Sequence, residues 1–328
     1  MYYNIELYKE KNLQNTNCKN TETFPKILFM GQPDMAIVCL NKLISSKLNI
    51  GALVLPDKTN VSREHIRTIA INNNIEVLEY EKTPNEPDLI EKIKASKYDI
   101  GVICSLNHKL SNIFLESTKD GFINCHPSIL PKYRGGNPYF HIIKDGEKMS
   151  GITLHFADEN FDTGKIIAQE IFPLMKKETM GMLFSRTNFM IADLLAKTLL
   201  KYKETGEIQS VAQKEGEFKK APNVPGEIYI NWADNINITE RLIRAANPFY
   251  NALTNFRGGF IRIIAGDFKE ERHNKTPGTI VKVKKDLIQI AAEGGYYFPN
   301  VIQAGSWGIY SISEFIEKFS PNEGEILK

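Results

Sequence analysis

The sequence predicts an α/β protein: a doubly wound, mostly parallel sheet followed by a smaller β-barrel domain of OB-like type. Three observations lead there. Between residues 25 and 205, short apolar runs alternate with longer amphipathic ones, the rhythm of a parallel sheet covered on both faces. A stretch rich in Lys, Glu, Pro and Gly, 206–226, then interrupts that rhythm with the composition of an exposed connector. From 227 to 328, short strand-like runs separated by turns, with a single helical run, suit a small barrel. The expected organisation is a polar N-terminal extension (1–24), a first domain (25–205), the connector (206–226) and a second domain (227–328).

The elements follow in order. Runs 27–30, 52–55, 77–80, 100–104 and 122–125 are short, apolar and rich in β-branched residues, and read as buried strands. Between them, 35–45, 62–72 and 87–95 carry apolar residues at helical spacing. Two further strand-like runs, 151–156 and 165–172, precede a long amphipathic helix over 180–202 that packs back on the sheet. In the second domain, 227–232, 260–265, 278–284, 287–292 and 296–302 read as strands and 239–246 as a helix. Ligands of such sheets bind beyond the carboxyl ends of the strands, so the residues after Cys104 and around Asn124 are the place to look for chemistry.

At 328 residues, the chain suits one full-sized domain and a smaller one. With 42% hydrophobic and 24% charged residues it has a globular composition. A net charge of +2 neither demands nor excludes a nucleic acid, because binding depends on how charges cluster. Cys18, Cys39, Cys104 and Cys125 show no C-x-x-C spacing, and three lie in apolar runs. They are expected as free thiols in a reducing cytoplasm. No apolar run has the length to span a bilayer, and the polar leader lacks a secretory core, so no membrane role is expected.

The chemistry-bearing stretch runs from Gly121 to Gly164. Asn124 and His126 stand two apart at the end of a strand and point to one side. Pro127, Pro131 and Gly135-Gly136 force an irregular loop, and Asp162 follows in a second loop between strands, expected to reach His126. An amide donor, an imidazole that titrates near neutrality and a carboxylate suit attack of an amine on a carbonyl carbon. The amide steadies the oxygen as it gains charge, the imidazole relays the proton, and the carboxylate orients the imidazole and is expected to raise its pKa. Nothing in this chemistry requires a metal.

These residues carry a resemblance. Asn124-Cys-His126-Pro-Ser128, the Ser128-Ile-Leu-Pro131 loop with Arg134-Gly135, and Asp162-Thr163-Gly164 resemble the signatures of the 10-formyltetrahydrofolate-dependent formyltransferases. Gly31-Gln-Pro-Asp34, Ile230-Asn-Trp232 and Ile243-Arg-Ala-Ala-Asn-Pro248 extend the likeness over most of 25–302. It implies a Rossmann-like formyltransferase domain with catalytic Asn124, His126 and Asp162. It implies folate contacts at Ser105, Leu106, Asn107, Asp158 and Asn160, with 10-formyltetrahydrofolate as co-substrate. Asn160 stands where the family often has glycine, and asparagine is expected to keep a left-handed backbone there. Ser128, Lys132 and Arg134 are expected on the acceptor side.

Within the family, tRNA-directed members carry a longer, strongly basic loop after the position of Pro56-Asp57. Here residues 58–65 hold only Lys58 and Arg63 as fixed positive charges. Gripping an RNA backbone takes several phosphate contacts, so the expected acceptor is a small amine, foremost an amino-sugar nucleotide. The amine of methionyl-tRNA is the alternative, with Lys214, Lys219 and Lys220 in the connector available to RNA, and hydrolysis of 10-formyltetrahydrofolate is a further one.

Other features have plainer readings. His155 alternates with apolar neighbours on a strand and His141 sits in an apolar helical run; both are expected to be packing residues. His108 is placed near the site without a settled role. Lys282, Lys284 and Lys285 read as a solvated strand face. Gly31 opens a strand-to-helix turn, but G-x-G-x-x-G is absent and a nicotinamide cofactor is not expected.

Overall fold

The computed structural model describes residues 3–4, 24–56, 62–80, 86–106, 109–214, 218–305 and 308–328. The expectations for the leader up to residue 23, for Lys58, and for Asn107 and His108 fall outside these. The chain divides into two compact units. The first comprises residues up to Pro138, Met149–Pro173 and Ser185–Ala221; the second comprises Tyr139–Lys148, Leu174–Phe184 and Pro222–Lys328.

In chain order the first unit carries β1 (Tyr3–Asn4), β2 (Ile27–Gly31), α1 (Met35–Ser45), β3 (Ile50–Pro56), α2 (Arg63–Asn72), β4 (Glu76–Tyr80), α3 (Glu86–Ser96), β5 (Ile100–Cys104), α4 (Asn112–Leu115) and β6 (Phe122–His126). The short helix α5 (Pro138–Lys144) counts mainly with the second unit. Then come β7 (Met149–Phe156), β8 (Ile166–Pro173) and the long helix α6 (Met180–Thr205), whose residues from Ser185 onward belong to the first unit. The sheet order is β1-β8-β7-β6-β5-β2-β3-β4. Strands β6, β5, β2, β3 and β4 run parallel, while β7 and β8 are antiparallel to their neighbours.

Strands β2 and β5 are buried throughout, as their unbroken apolar runs require of central strands covered on both faces. Gly101 has a specific reason to be glycine: a Cβ there would enter the Phe122 ring of the neighbouring strand. Cys39, Cys104 and Cys125 are free, buried thiols in this core. The apolar helical run read around His141 is α5, whereas α4, only four residues long, is too short to show a helical period and was missed.

The second unit holds β9 (Glu227–Tyr229), α7 (Ile236–Ala246), β10 (Asn251–Phe256), β11 (Gly259–Glu270), β12 (Ile280–Lys284), β13 (Leu287–Ala292), β14 (Gly295–Ala304), β15 (Gly308–Ser311) and α8 (Ile312–Phe319). Its sheet is mostly antiparallel, in the order β12-β13-β14-β11-β10-β9 with β15 on β14. Strand β10, absent from the sequence reading, pairs with β11 across an Arg257-Gly258 turn in which both residues have positive φ (52° and 83°). That is the backbone a two-residue hairpin needs, but without the Asn-Gly or Asp-Gly that usually announces it. One apolar core joins Trp232, Ile236, Ile263, Tyr297 and Phe315. Among the described residues, no helix is long and apolar enough to cross a membrane.

Phe315 is 1% exposed, with the rings of Phe256 and Phe319 5.7 and 4.8 Å away. Phe315→Ala is expected to destabilise the protein by about 3–5 kcal/mol through lost burial and a cavity. Urea unfolding followed by Trp fluorescence checks this; a change below about 1 kcal/mol contradicts the packing described.

Candidate active site

Asn124 and His126 lie on one face of β6, and the strand after them sets what stands beside that face. β7 runs antiparallel to β6 with His155 directly opposite Asn124 and Thr153 opposite His126. Directly opposed residues project to the same side of a sheet. The chain leaving β7 curls back over this face: the Ala157 N–H donates to the Phe122 carbonyl (2.7 Å), and Asp162 arrives above Asn124 and His126. Asp162 sits at φ 58°. Aspartate is one of the few residues besides glycine that take this left-handed conformation readily. The left-handed residue of this loop is therefore Asp162 and not Asn160, as the sequence reading had it.

The Asp162 carboxylate is the hub. Its Oδ1 accepts from Asn124 Nδ2 (3.2 Å) and lies 3.4 Å from both His126 Nδ1 and His155 Nε2. Its Oδ2 accepts from the Gly135 N–H (2.9 Å). Burial works to raise the Asp162 pKa, but His126, His155 and the Gly135 N–H outweigh it and hold the carboxyl at about 2. The His126 imidazole moves the other way from the sequence expectation. Burial pushes its pKa below the ordinary 6.5; Asp162 pulls upward, as anticipated, but does not overcome the loss of water, and His155 and Arg134 lower it further. The resting pair is thus a carboxylate beside a neutral imidazole.

Hydrogen bonds assign the tautomers. His126 Nε2 faces the Tyr133 carbonyl (2.9 Å) and so carries the proton, leaving the lone pair on Nδ1 towards Asp162. His155 Nδ1 faces the Phe156 carbonyl (2.8 Å) and donates there, which leaves Nε2 to accept from Asn124 Nδ2 (3.0 Å). The two acceptors of Asn124 Nδ2 are only 3.4 Å apart, so they subtend a far smaller angle than the two amide hydrogens. One N–H lies between them, and the second remains to serve a ligand.

The loop after β6 forms the near wall. Ser128 is fully buried and its hydroxyl donates to the Lys132 carbonyl (2.6 Å), so it ties the loop to itself rather than facing an acceptor. Thr153 donates to the Ser128 carbonyl (2.6 Å), and Gln169 donates to Thr153 Oγ1 (2.9 Å) and the Leu130 carbonyl (3.2 Å), anchoring the loop from β7 and β8. Tyr133 is held at φ 62°. Arg134 and Lys132 are half-buried; the Arg134 guanidinium donates through Nε to Gln213 Oε1 (3.2 Å) and lies 5.1 Å from the Phe218 ring centroid. Arg63, counted as a free charge in the sequence, is buried and paired with Glu79.

The segments expected to hold a folate are adjacent. Lys109 Nζ donates to the Glu159 carbonyl (3.0 Å) and lies 5.2 Å from the Phe161 ring, while Leu106, Leu110 and Ala157 pack on one apolar cluster. Ser105 is left-handed (φ 59°) and touches Met35 Sδ at 3.9 Å. The exposed Asp158 shapes its own loop by accepting from Thr163 Oγ1 (2.6 Å) and the Asn160 N–H (3.1 Å). Among the described residues, no group of three or more His, Cys, Asp or Glu side chains is arranged to hold a metal ion.

Comparison with known proteins places the chain in a family. The family profile described as formyl transferase matches residues 25–199, and that of the formyl transferase C-terminal domain matches residues 224–320. The chain belongs to the formyl transferase family, enzymes that move a one-carbon formyl group. Among its relatives are the methionyl-tRNA formyltransferases of Acetivibrio thermocellus, 31% identical over 92% of this chain and 99% of that one, and of Alkaliphilus oremlandii, 33% identical over 92% and 99%. In fold it is similar to the N-formyltransferase of Helicobacter canadensis in complex with folinic acid and dTDP-3-aminofucose (TM-score 0.65, 20% identity, 84% of this chain and 98% of that one). It is also similar to HypX of Aquifex aeolicus in complex with tetrahydrofolic acid (TM-score 0.60, 17% identity, 90% and 47%).

Sequence reasoning passed over His155, Thr153, Gln169 and Gln213. For His155 a signal existed: it lies in the strand running into the Asp162 loop, and its partner across β6 is the very residue singled out for chemistry.

The pKa directions fix an acid response. The Asp162 carboxyl titrates near 3.9 when unfolded and at about 2 when folded. Its contribution to stability is therefore present above about pH 4 and lost as pH falls towards 2. His126, lowered in the fold, adds a loss that begins as pH falls below its unfolded value. In urea titrations from pH 6 to 2, the gap between wild type and Asp162→Asn is expected to close between about 4 and 2. A constant gap refutes the charged, clustered carboxylate.

Proposed function

We propose that the protein transfers the formyl group of 10-formyltetrahydrofolate to the amine of methionyl-tRNA, with Asn124, His126 and Asp162 as its catalytic residues. One observation carries the chemistry: a carboxylate held at about 2 touches both an amide with a spare N–H and a neutral imidazole. The acceptor rests on the relatives that match this chain nearly end to end, second domain included, at about 30% identity. The sugar-nucleotide enzymes share the fold at 20% identity or less, which supports no acceptor. This reverses the acceptor ranking drawn from the sparse charge of residues 58–65. That argument counted one loop, whereas phosphate contacts are distributed over a surface.

The folate is placed against Ser105-Leu106 and the loop 157–161, and it supplies the activated formyl carbon. The protein's own groups do the rest. The free N–H of Asn124 meets the formyl oxygen as negative charge collects there; such a donor contributes on the order of 10²- to 10³-fold in kcat. His155 and Asp162 fix the amide plane from behind. His126 accepts the proton released by the amine at Nδ1, where the carboxylate 3.4 Å away turns from a repulsive neighbour into an ion-pair partner. The same proton is then delivered to the departing nitrogen. A lowered imidazole pKa keeps His126 a free base throughout the neutral range.

Purified enzyme is expected to formylate methionyl-tRNA with kcat/KM orders of magnitude above that for amino-sugar nucleotides. The reverse ranking overturns the acceptor assignment, and full-rate formate release without any amine indicates a hydrolase. The acidic limb of the kcat profile is expected below pH 6.5, and His126→Ala should lower kcat by about 10²- to 10⁴-fold. His155→Leu, which removes the acceptor behind Asn124, should lower kcat while His155→Gln restores part of it. Equal activity in both variants contradicts the role of His155 in holding the amide.

A further inference from the structure

The connector between the two matched regions does more than link them. After α6 the chain returns along the start of β8, where Val211 and Ile166 exchange backbone hydrogen bonds (2.9 and 2.8 Å). Gln213 then reaches both loops of the active site. Its Nε2 donates to the Asp162 carbonyl (2.9 Å) and the Gly164 carbonyl (2.8 Å), and its Oε1 accepts from Arg134 Nε (3.2 Å) and Nη2. The amide orientation is unambiguous, because a flip would set its oxygen against two carbonyl oxygens and its nitrogen against a guanidinium. Further along, the Ala221 N–H donates to the Arg134 carbonyl (2.7 Å), and the Asn137 N–H donates to the Ala221 carbonyl (3.0 Å). A Cβ on Gly135 would stand 2.7 Å from that same Ala221 oxygen, so the close approach depends on glycine.

These contacts flank the catalytic atoms on both sides. The loop carrying Arg134 presents the Tyr133 carbonyl to His126 and the Gly135 N–H to Asp162. The loop carrying Gly164 presents Asp162 itself. The Gly135 N–H ties the first loop directly to the Asp162 carboxylate, and Gln213 adds a second tie by gripping the backbone of the Asp162 loop and the Arg134 side chain at once. We infer that Gln213 is a positioning residue for formyl transfer: from the connector, it clasps the Arg134 loop to the Asp162 loop and so holds the carboxylate at the imidazole. The inference rests on the catalytic reading given above for Asn124, His126 and Asp162.

The test compares full-length wild type, Gln213→Met and Gln213→Glu. Methionine keeps the length and loses the amide; glutamate keeps an oxygen for Arg134 and gives up both N–H groups. Misplacing a reacting group by about 1 Å can cost 10²-fold, so kcat for methionyl-tRNA is expected to fall by about tenfold to a hundredfold in both. The KM values should stay within about twofold, with melting temperatures near that of wild type. Imidazole NMR of the free enzyme supplies a readout that a merely structural role would not move. The charged or titratable groups facing His126 are Asp162, His155 on β7 and Arg134. Loosening Asp162 removes the one that raises its pKa, so the His126 titration is expected to move lower in Gln213→Met, which adds no charge of its own. Unchanged kcat with an unmoved titration overturns the clasp, as does a kcat loss that merely follows a fall in melting temperature, or full activity in Gln213→Glu. If the wild type formylates another amine and not methionyl-tRNA, the acceptor reading fails alone; the clasp is then judged with that amine and by the same titration.

Discussion

The site is organised around one buried negative charge. An ionised carboxylate removed from water is costly unless hydrogen-bond donors surround it, and Asp162 is 9% exposed. Its requirements explain much of the local structure. Asn124 and the Gly135 N–H donate to it, two imidazoles approach to 3.4 Å, and the residue itself adopts a left-handed backbone so that its side chain turns down onto the sheet. The same contacts make the groups useful. An amide whose plane is fixed from behind keeps one N–H for an oxygen that gains charge, and an imidazole beside a fixed carboxylate gains a counter-ion at the moment it takes a proton.

The sheet topology supplies the second constraint. In the parallel part, β5 and β6 carry their neighbours to the same end, and the sequence reading looked for chemistry just past those ends. Strand β7 reverses direction, and this places His155 beside Asn124 and Thr153 beside His126 on one face. The site therefore lies around Asn124 and His126 at the carboxyl end of β6, beside β7 and roofed by two loops. Thr153 and Gln169 fasten the first loop and Gln213 reaches across both, so groups from four separate stretches of chain are brought to a few ångströms.

The reaction and its acceptor rest on different parts of the protein. The formyl-transfer class is given by the family to which the chain belongs, and the catalytic role proposed for Asn124, His126 and Asp162 rests on a compact set of side chains. Acceptor choice within a fold can change through a handful of loop residues without disturbing the core. A ranking of acceptors from one short segment was for that reason fragile. It gave way to the likeness of the whole chain to enzymes that act on methionyl-tRNA.

Periodicity and turn residues in the sequence were enough to predict the alternating α/β region and a smaller β domain after it, and to single out Asn124, His126 and Asp162 as candidates. Each of these depends on local patterns: apolar runs, helical spacing, and residues of distinctive chemistry close to loops. Tertiary structure alone decided the rest. It turned His155 from a packing residue into a partner of Asn124, moved the left-handed position from Asn160 to Asp162, closed Ser128 on its own loop, and drew a polar connector onto the catalytic loops through Gln213. It also reversed the expected shift of His126, because burial is a property of everything packed around a residue. Hydrogen-bond partners and solvent exclusion are set by chain segments far apart in sequence, and no local pattern records which of them will meet.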